Sequence, residues 1–440
     1  MPKISKRGAA LPASPIRKLA PFAEDAKKRG LKVYHLNIGQ PDLPTPEKAL
    51  TALKNIDRKT LEYSPSQGTS SLREEFRNYY RKFGIDLSSD EIIVTAGGSE
   101  ALLATFLSVF DPGDEVIITE PGYANYLSFA KAAGLTVKAV TSRIENGFAL
   151  PSAEDFKNAI TDKTKAILIC NPNNPTGYLY SPEELFQLRE LVREHDLFLI
   201  ADEVYREFVY TDEPYISALT LFGIEDNVIV VDSVSKRYSE CGIRIGMVVT
   251  RNAIRIGMVV TRNAEVRTAV LKFCQARLSP PLLGQIVAEA SIEGTELYSK
   301  ECFDEYRSRR DFFIKGLNEI PGVYSPVPQG AFYTVAKLPV EDAEDFCQWC
   351  LTDFCWRENE EETPEEETGI HFDSPLPGPE VKEPEYVGET VMMAPAAGFY
   401  ATPGLGRNEV RMAYVLNKKD LKRALIVLRA ALEEYNKVRS

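Results

Sequence analysis

The chain has 440 residues, enough for about two to three domains around a sizeable core. Its 64 acidic and 52 basic residues give a formal charge of −12, but Cys355–Gly388 alone holds eleven acidic and two basic groups, so the remainder is nearly neutral. That leaves no basic face for nucleic acid, and no apolar run approaches the roughly 20 residues of a membrane span.

The first 22 residues are basic and lack a secretory apolar core; they read as part of the mature protein, with an amphipathic organelle-targeting peptide, for which Arg, Lys, Ser and Ala are all present, as the alternative. Between Glu91 and Thr250, strand-like runs alternate with helical stretches. EIIVT (91–95) runs into GGSEALLATFLSVF, a turn and then a helix; DEVIITE (114–120), KAILIC (165–170), LFLIADE (197–203), NVIVVD (227–232) and IRIGMVVT (243–250) are continuous and rich in Val, Ile and Leu. Such runs predict a mostly parallel sheet covered on both faces, an α/β arrangement. From about residue 301 a charged helical run precedes a short strand, GAFYTVAKL (330–338), and the chain ends in a periodic helix over 418–438. The expected division is an N-terminal arm with part of a small domain (1–47), a large domain (48–299) and a small α+β domain (300–440).

Two irregularities interrupt this pattern. IRIGMVVTRNA occurs twice in succession, at 243–253 and 254–264, too short a repeat for a solenoid. The first copy is expected in the sheet and the second as an extruded loop or hairpin. Segment 355–388, rich in Glu and Pro, cannot bury enough apolar surface to offset its ordering entropy, which predicts a mobile insertion. The seven cysteines suggest neither a disulfide framework nor a zinc site, and a reducing, cytoplasmic setting is expected. His35, His195 and His371 show no spacing suited to a metal.

The chemistry concentrates at the ends of the apolar runs. Lys236, in DSVSK, follows NVIVV; Arg244 comes eight residues later, and LFLIADEVY supplies Asp202 and Tyr205. A lysine for a Schiff base, an acid to keep a pyridinium nitrogen protonated and an arginine for a phosphate are the needs of pyridoxal 5'-phosphate (PLP). Alone, SVSK also fits a surface Ser-Lys pair. GGSEAL offers close backbone approach and free amides at a helix N-terminus, EPGYANY offers the flat ring of Tyr123, and NPNNPTG (171–177) is a stiff turn after a strand.

GQPDLPTP, YSPSQGTSSLRE, GGSEAL, PGYANY, NPNNPTG, DEVY, SVSK, GIRIG and EVRMAYVLN occur in the order found in class I/II PLP-dependent aminotransferases of fold type I, which the chain resembles from about Pro12 to its end. The likeness is to bacterial-type aspartate or broad-specificity enzymes. It implies a seven-stranded sheet and a homodimer that moves an amino group from an L-amino acid, with aspartate or an aromatic amino acid as candidate donors, to a 2-oxo acid such as 2-oxoglutarate. It further implies that Lys236 carries the cofactor and shuttles the proton at the substrate Cα, that Asp202 faces the pyridinium, and that Asn174 and Tyr205 bond the ring oxygen. Gly98, Ser99, Glu100, Ser233, Ser235 and Arg244 would hold the phosphate, Tyr123 would stack on the ring, and Tyr63 would reach the neighbouring subunit's phosphate. Arg411, with the Gly39 backbone, would take the substrate α-carboxylate. The repeat lets Arg255 compete with Arg244, and Arg277, near Pro280-Pro281, is the nearest candidate for a distal carboxylate. A PLP-dependent β-lyase and a non-catalytic ligand sensor are the alternatives. Pyruvate release from a substrate with a Cβ leaving group marks the first; the short N-terminal arm and the presence of Lys236 speak against the second.

Overall fold

The computed structural model describes residues 2–12, 14–212, 214–250, 263–293, 296–357 and 385–439. In chain order the strands are β1 (Leu31–His35), β2 (Ile92–Thr95), β3 (Glu115–Glu120), β4 (Thr136–Thr141), β5 (Thr164–Cys170), β6 (Phe198–Asp202), β7 (Val228–Ser233), β8 (Gly246–Thr250), β9 (Tyr333–Lys337), β10 (Gly388–Met392), β11 (Ala394–Pro395) and β12 (Glu409–Ala413).

Seven of them form one sheet in the order β2-β8-β7-β6-β5-β3-β4. Strands β3 to β7 run parallel, and β8 is antiparallel to both of its neighbours. Successive residues along each strand enter different apolar layers. Ile167, Val230 and Met247 pack into one, Leu168, Ile229 and Val248 into the other. Helices therefore cover both faces, as continuous apolar strands require. Local chemistry sets the helix ends: Ser181 caps Pro182–His195 through a capping box with Glu184, and Asp196 stops it in the left-handed region.

A smaller unit holds the antiparallel sheet β11-β12-β9 and the parallel pair β1-β10. The molecule is thus α/β, a fold type I arrangement with a large domain and a smaller α+β one. Strand β4 carries Lys138 and is half exposed at the sheet edge, so it shows no continuous apolar run. Cys347 and Cys350 have CxxC spacing, but both are free and fully buried on helix Ala343–Thr352, where burial pushes their thiols up. Among the described residues no group of His, Cys, Asp or Glu suits a metal ion, and no helix is long and apolar enough to cross a membrane.

The first copy of the repeat supplies β8. Most of the second, with Arg255, and most of the acidic insertion lie outside the described residues. Thr250, which ends β8, and Asn263, which caps helix Ala264–Ala276, line one small cleft. Deleting residues 254–264 would place the identical Asn252 at that cap, two residues beyond Thr250. We expect the deletion variant to retain its cofactor and to melt at a higher temperature in calorimetry; loss of cofactor binding would give the second copy the place in the site.

Candidate active site

Parallel strands deliver their carboxyl ends to one edge of the sheet, where open α/β folds bind ligands. Here Cys170 of β5 pairs with Asp202 of β6, and Asp202 with Val231 of β7, two residues before Ser233. Gly246 of the antiparallel β8 stands between Ser233 and Thr95, which brings the turn after β2 to the same edge. Every expected site residue except Glu100 and Tyr63 lines a single cavity of about 980 Å³ at this edge.

Asp202 is buried, accepts from the Tyr126 hydroxyl (2.7 Å) and from the Val204 amide (3.4 Å), and has its pKa raised to about 6. Burial is the main cause, helped by the nearby charges of Asp232 and Glu203 and opposed by the two hydrogen bonds. Lys236, on the single helical turn Val234–Arg237, donates from Nζ to the Gly39 carbonyl (2.9 Å) and lies 3.5 Å from Cys241 Sγ. A Cβ on Gly39 would fall 1.8 Å from the Tyr333 hydroxyl, so only glycine fits there.

The other end of the cavity is an anion cradle. Helix Gly98–Val109 starts there with Gly98 and Ser99, and Ser233 and Ser235 place hydroxyls beside it. Arg244, in the left-handed region (φ +58°), donates to the Cys241 carbonyl (2.9 Å), and its Nη2 sits 2.1 Å from where a Cβ on Gly97 would be. Free helix amides, hydroxyls and a guanidinium suit a phosphate.

Arg411, on β12, is 1% exposed. It bonds Asn174 Oδ1 (3.4 Å) and the Asn37 carbonyl, lies over the rings of Tyr333 and Phe399, and leaves Nε without a partner. No carboxylate among the described residues pairs with it, and burial lowers its pKa. A buried, unpaired guanidinium beside a cavity calls for an anionic ligand. Asn174 Nδ2 donates to the Tyr205 hydroxyl (3.4 Å), which shares a hydrogen bond with Tyr333 (3.0 Å). Tyr123 packs edge-on against Tyr126. An acid, an amine, an anion cradle and a second anion site around one space fit PLP together with an amino acid.

Glu100 departs from its expected place. Its carboxylate accepts from the Ala96 amide (2.6 Å) and pairs with Arg277 (2.9 Å), which also donates to the Ser66 and Val94 carbonyls. These bonds hold Arg277 within its own chain, away from the cavity. Tyr63 is 78% exposed and does not line the cavity. Tyr126, Asn37 and Arg17 also line the cavity. Only Tyr126 had a local signal, its place in the PGYANY motif.

The raised pKa of Asp202 has a stability consequence in protein freed of cofactor. A carboxyl near 4 when unfolded and near 6 when folded stabilises the native state below about pH 4, and that contribution is lost as pH rises through 6. Two units correspond to about 3 kcal/mol. Urea unfolding of the apoprotein should show this decline from pH 4 to 6, and Asp202→Asn should flatten it; an unchanged profile would place the carboxyl's titration elsewhere.

A model of the family "Aminotransferase class I and II" matches residues 32–357. The chain is 34% identical over 326 residues to the putative aminotransferase YugH of Bacillus subtilis, covering 73% of this chain and 81% of that one. It is 31% identical over 350 residues to the aspartate aminotransferase of Thermotoga maritima, covering 79% and 88%. The solved alanine aminotransferase of Pyrococcus furiosus superposes with a TM-score of 0.81 at 29% identity, over 98% of this chain and all of that one. These likenesses favour transamination over the eliminating and sensor alternatives. With its sheet edge, buried acid and lysine already in place, the chain belongs to the aminotransferase class I and II family and is a PLP-dependent transaminase.

Proposed function

We propose that this transaminase acts on amino and 2-oxo acids bearing a second carboxylate, with Lys236, Asp202 and Arg411 as its principal working groups. The observation that carries the division of labour is the pair of buried, oppositely charged groups in one cavity, Asp202 and Arg411, neither matched by a counter-charge among the described residues. When bound, PLP supplies an electron-accepting ring conjugated to the amino group being moved. Lys236 Nζ would hold the cofactor and move the proton at the substrate Cα. The Asp202 carboxylate would keep a proton on the ring nitrogen, Asn174 and Tyr205 would donate to the ring oxygen, and Tyr123 would cover the ring. Ser99, Ser233, Ser235, the Gly98 amide and Arg244 would hold the phosphate. Arg411 grips the α-carboxylate with a planar fork, and the Gly39 backbone closes that subsite.

The acidic preference rests on Arg17. It lines the cavity and pairs with no carboxylate among the described residues, whereas Lys27 nearby is held by Glu24 (2.8 Å). Relatives named for aspartate and for alanine both exist, so likeness alone does not choose a donor. A homodimer is supported by the exposure of Tyr63 beside exposed Leu61 and by Phe273, Leu278 and Leu283, an unusual set of large apolar groups to leave in water. Seven free cysteines support a reducing, cytoplasmic setting, which cell fractionation tests.

Purified protein should absorb in the visible, and borohydride should fix PLP covalently on Lys236 in a particle sedimenting as a dimer. Lys236→Ala should lose at least ~10⁴-fold in rate. Label on another lysine would refute the assignment.

Arg17→Ala should raise KM about tenfold for dicarboxylic donors, equivalent to ~1.4 kcal/mol, and leave alanine nearly unaffected. Arg411→Lys should instead lower kcat/KM for every donor. Equal loss on both donor classes in Arg17→Ala would move the acidic preference off that residue.

A further inference from the structure

Lys236 stands on a helical turn of only four residues, Val234–Arg237. A single turn fixes several backbone torsions for one or two hydrogen bonds and does not hold itself in place. What holds it lies on the side away from the cavity. Asp232, the residue before Ser233, and Arg237, the residue after Lys236, are 0% and 2% exposed. Arg237 Nη2 donates to both Asp232 oxygens (3.0 and 2.9 Å), and the Ser233 amide donates to Asp232 Oδ1 (2.6 Å). The ion pair thus clasps the segment Ser233–Lys236, three of whose residues line the cavity.

The same design repeats one strand away. Asp202 faces the cavity, and the next residue, Glu203, turns inward to pair with Arg206 and to accept from Ser217 Oγ and the Ala218 amide (2.8 Å). Tyr80 joins the two clasps: its hydroxyl donates to Asp232 Oδ2 (2.9 Å), and the Arg206 guanidinium lies 4.6 Å from its ring centre. Beside it, the Arg237 guanidinium sits 4.1 Å from the ring centre of Tyr79. Buried ion pairs contribute little net stability compared with apolar groups of similar volume, so packing alone does not account for this arrangement.

We infer that Asp232 and Arg237 are positioning residues for transamination: their buried pair, linked through Tyr80 to Glu203 and Arg206, sets Lys236 in register with Asp202. The inference rests on Lys236 being the cofactor lysine. Neither residue reaches the cavity, so both act only through the groups they hold.

The deciding variant is Asp232→Asn combined with Arg237→Met. It removes both charges, keeps Oδ1 as acceptor for the Ser233 amide, turns the contact with Tyr80 into an amide donating to the hydroxyl oxygen, and leaves no unpaired buried cation. With the holoenzyme we expect native melting behaviour and borohydride labelling still on Lys236. The kcat should fall on the order of 10²-fold, the cost of a misplaced reacting group, with KM within about threefold. The midpoint of the pH titration of the bound cofactor's visible absorbance should also move. Native kcat and an unmoved midpoint in the folded double variant would overturn the inference. Should that variant not fold, Arg237→Lys decides, because it keeps the charge but not the fork that spans two oxygens: a fall of about tenfold in kcat at unchanged KM supports positioning, and native kcat overturns it. Absence of label from Lys236 in the unaltered protein would instead refute the underlying assignment of the lysine.

Discussion

The site depends on one backbone contact, the entry of β8 into the sheet at Gly246. This residue pairs with Ser233 on one side and Thr95 on the other, and a Cβ there would lie 2.4 Å from the Gly97 carbonyl carbon. With no side chain in the way, the turn after β2 closes directly onto the ends of β7 and β8. The N-terminus of helix Gly98–Val109, with its partial positive charge, therefore meets the Ser233 and Ser235 hydroxyls and the Arg244 guanidinium. A larger residue at this crossing would separate these groups, and no change at the cavity surface could bring them back together.

The two buried charges give the cavity its electrostatic character. Asp202 and Arg411 are both desolvated, which disfavours the charged form of each: the carboxyl's pKa is raised and the guanidinium's is lowered. Among the described residues no counter-charge offsets the loss of water at either group, so each by itself costs stability. A ligand with a cationic ring at one end and a carboxylate at the other relieves both. Binding free energy is thereby linked to folding free energy, and the loaded protein is the more stable one. The phenols of Tyr126, Tyr205 and Tyr333 surround these charges without cancelling them, so the site remains polar and shaped while its net demand for a ligand persists.

Contacts that withdraw residues from the cavity matter as much as those that build it. Glu100 and Arg277 occupy each other, and Arg277 further ties the 64–66 loop and β2 to the helix that follows. Sequence position alone places both near ligand-binding motifs; their mutual neutralisation is what removes them. Arg17, on the N-terminal segment, has no such partner among the described residues and stays available at the cavity wall.

Much of the fold was legible in the residues. Continuous apolar runs marked β2, β3 and β5 to β8, because strands buried on both faces cannot alternate polar and apolar groups. A Pro- and Asn-rich turn marked the strand end that carries Asn174, because such turn conformations depend on local backbone chemistry, and the ends of apolar runs marked Lys236 and Asp202. Strand β4 was not legible, being an exposed edge, nor was the pairing of β1 with β10 across more than 350 residues. The resemblance, not periodicity, supplied the roles of Arg411 and Tyr123. Only the tertiary structure decided that Arg411 meets no carboxylate among the described residues, that Glu100 is committed to Arg277 and that Asp232 clasps Arg237. Whether a charged side chain is free or neutralised depends on which distant segment packs against it, and a linear pattern carries no record of that neighbour.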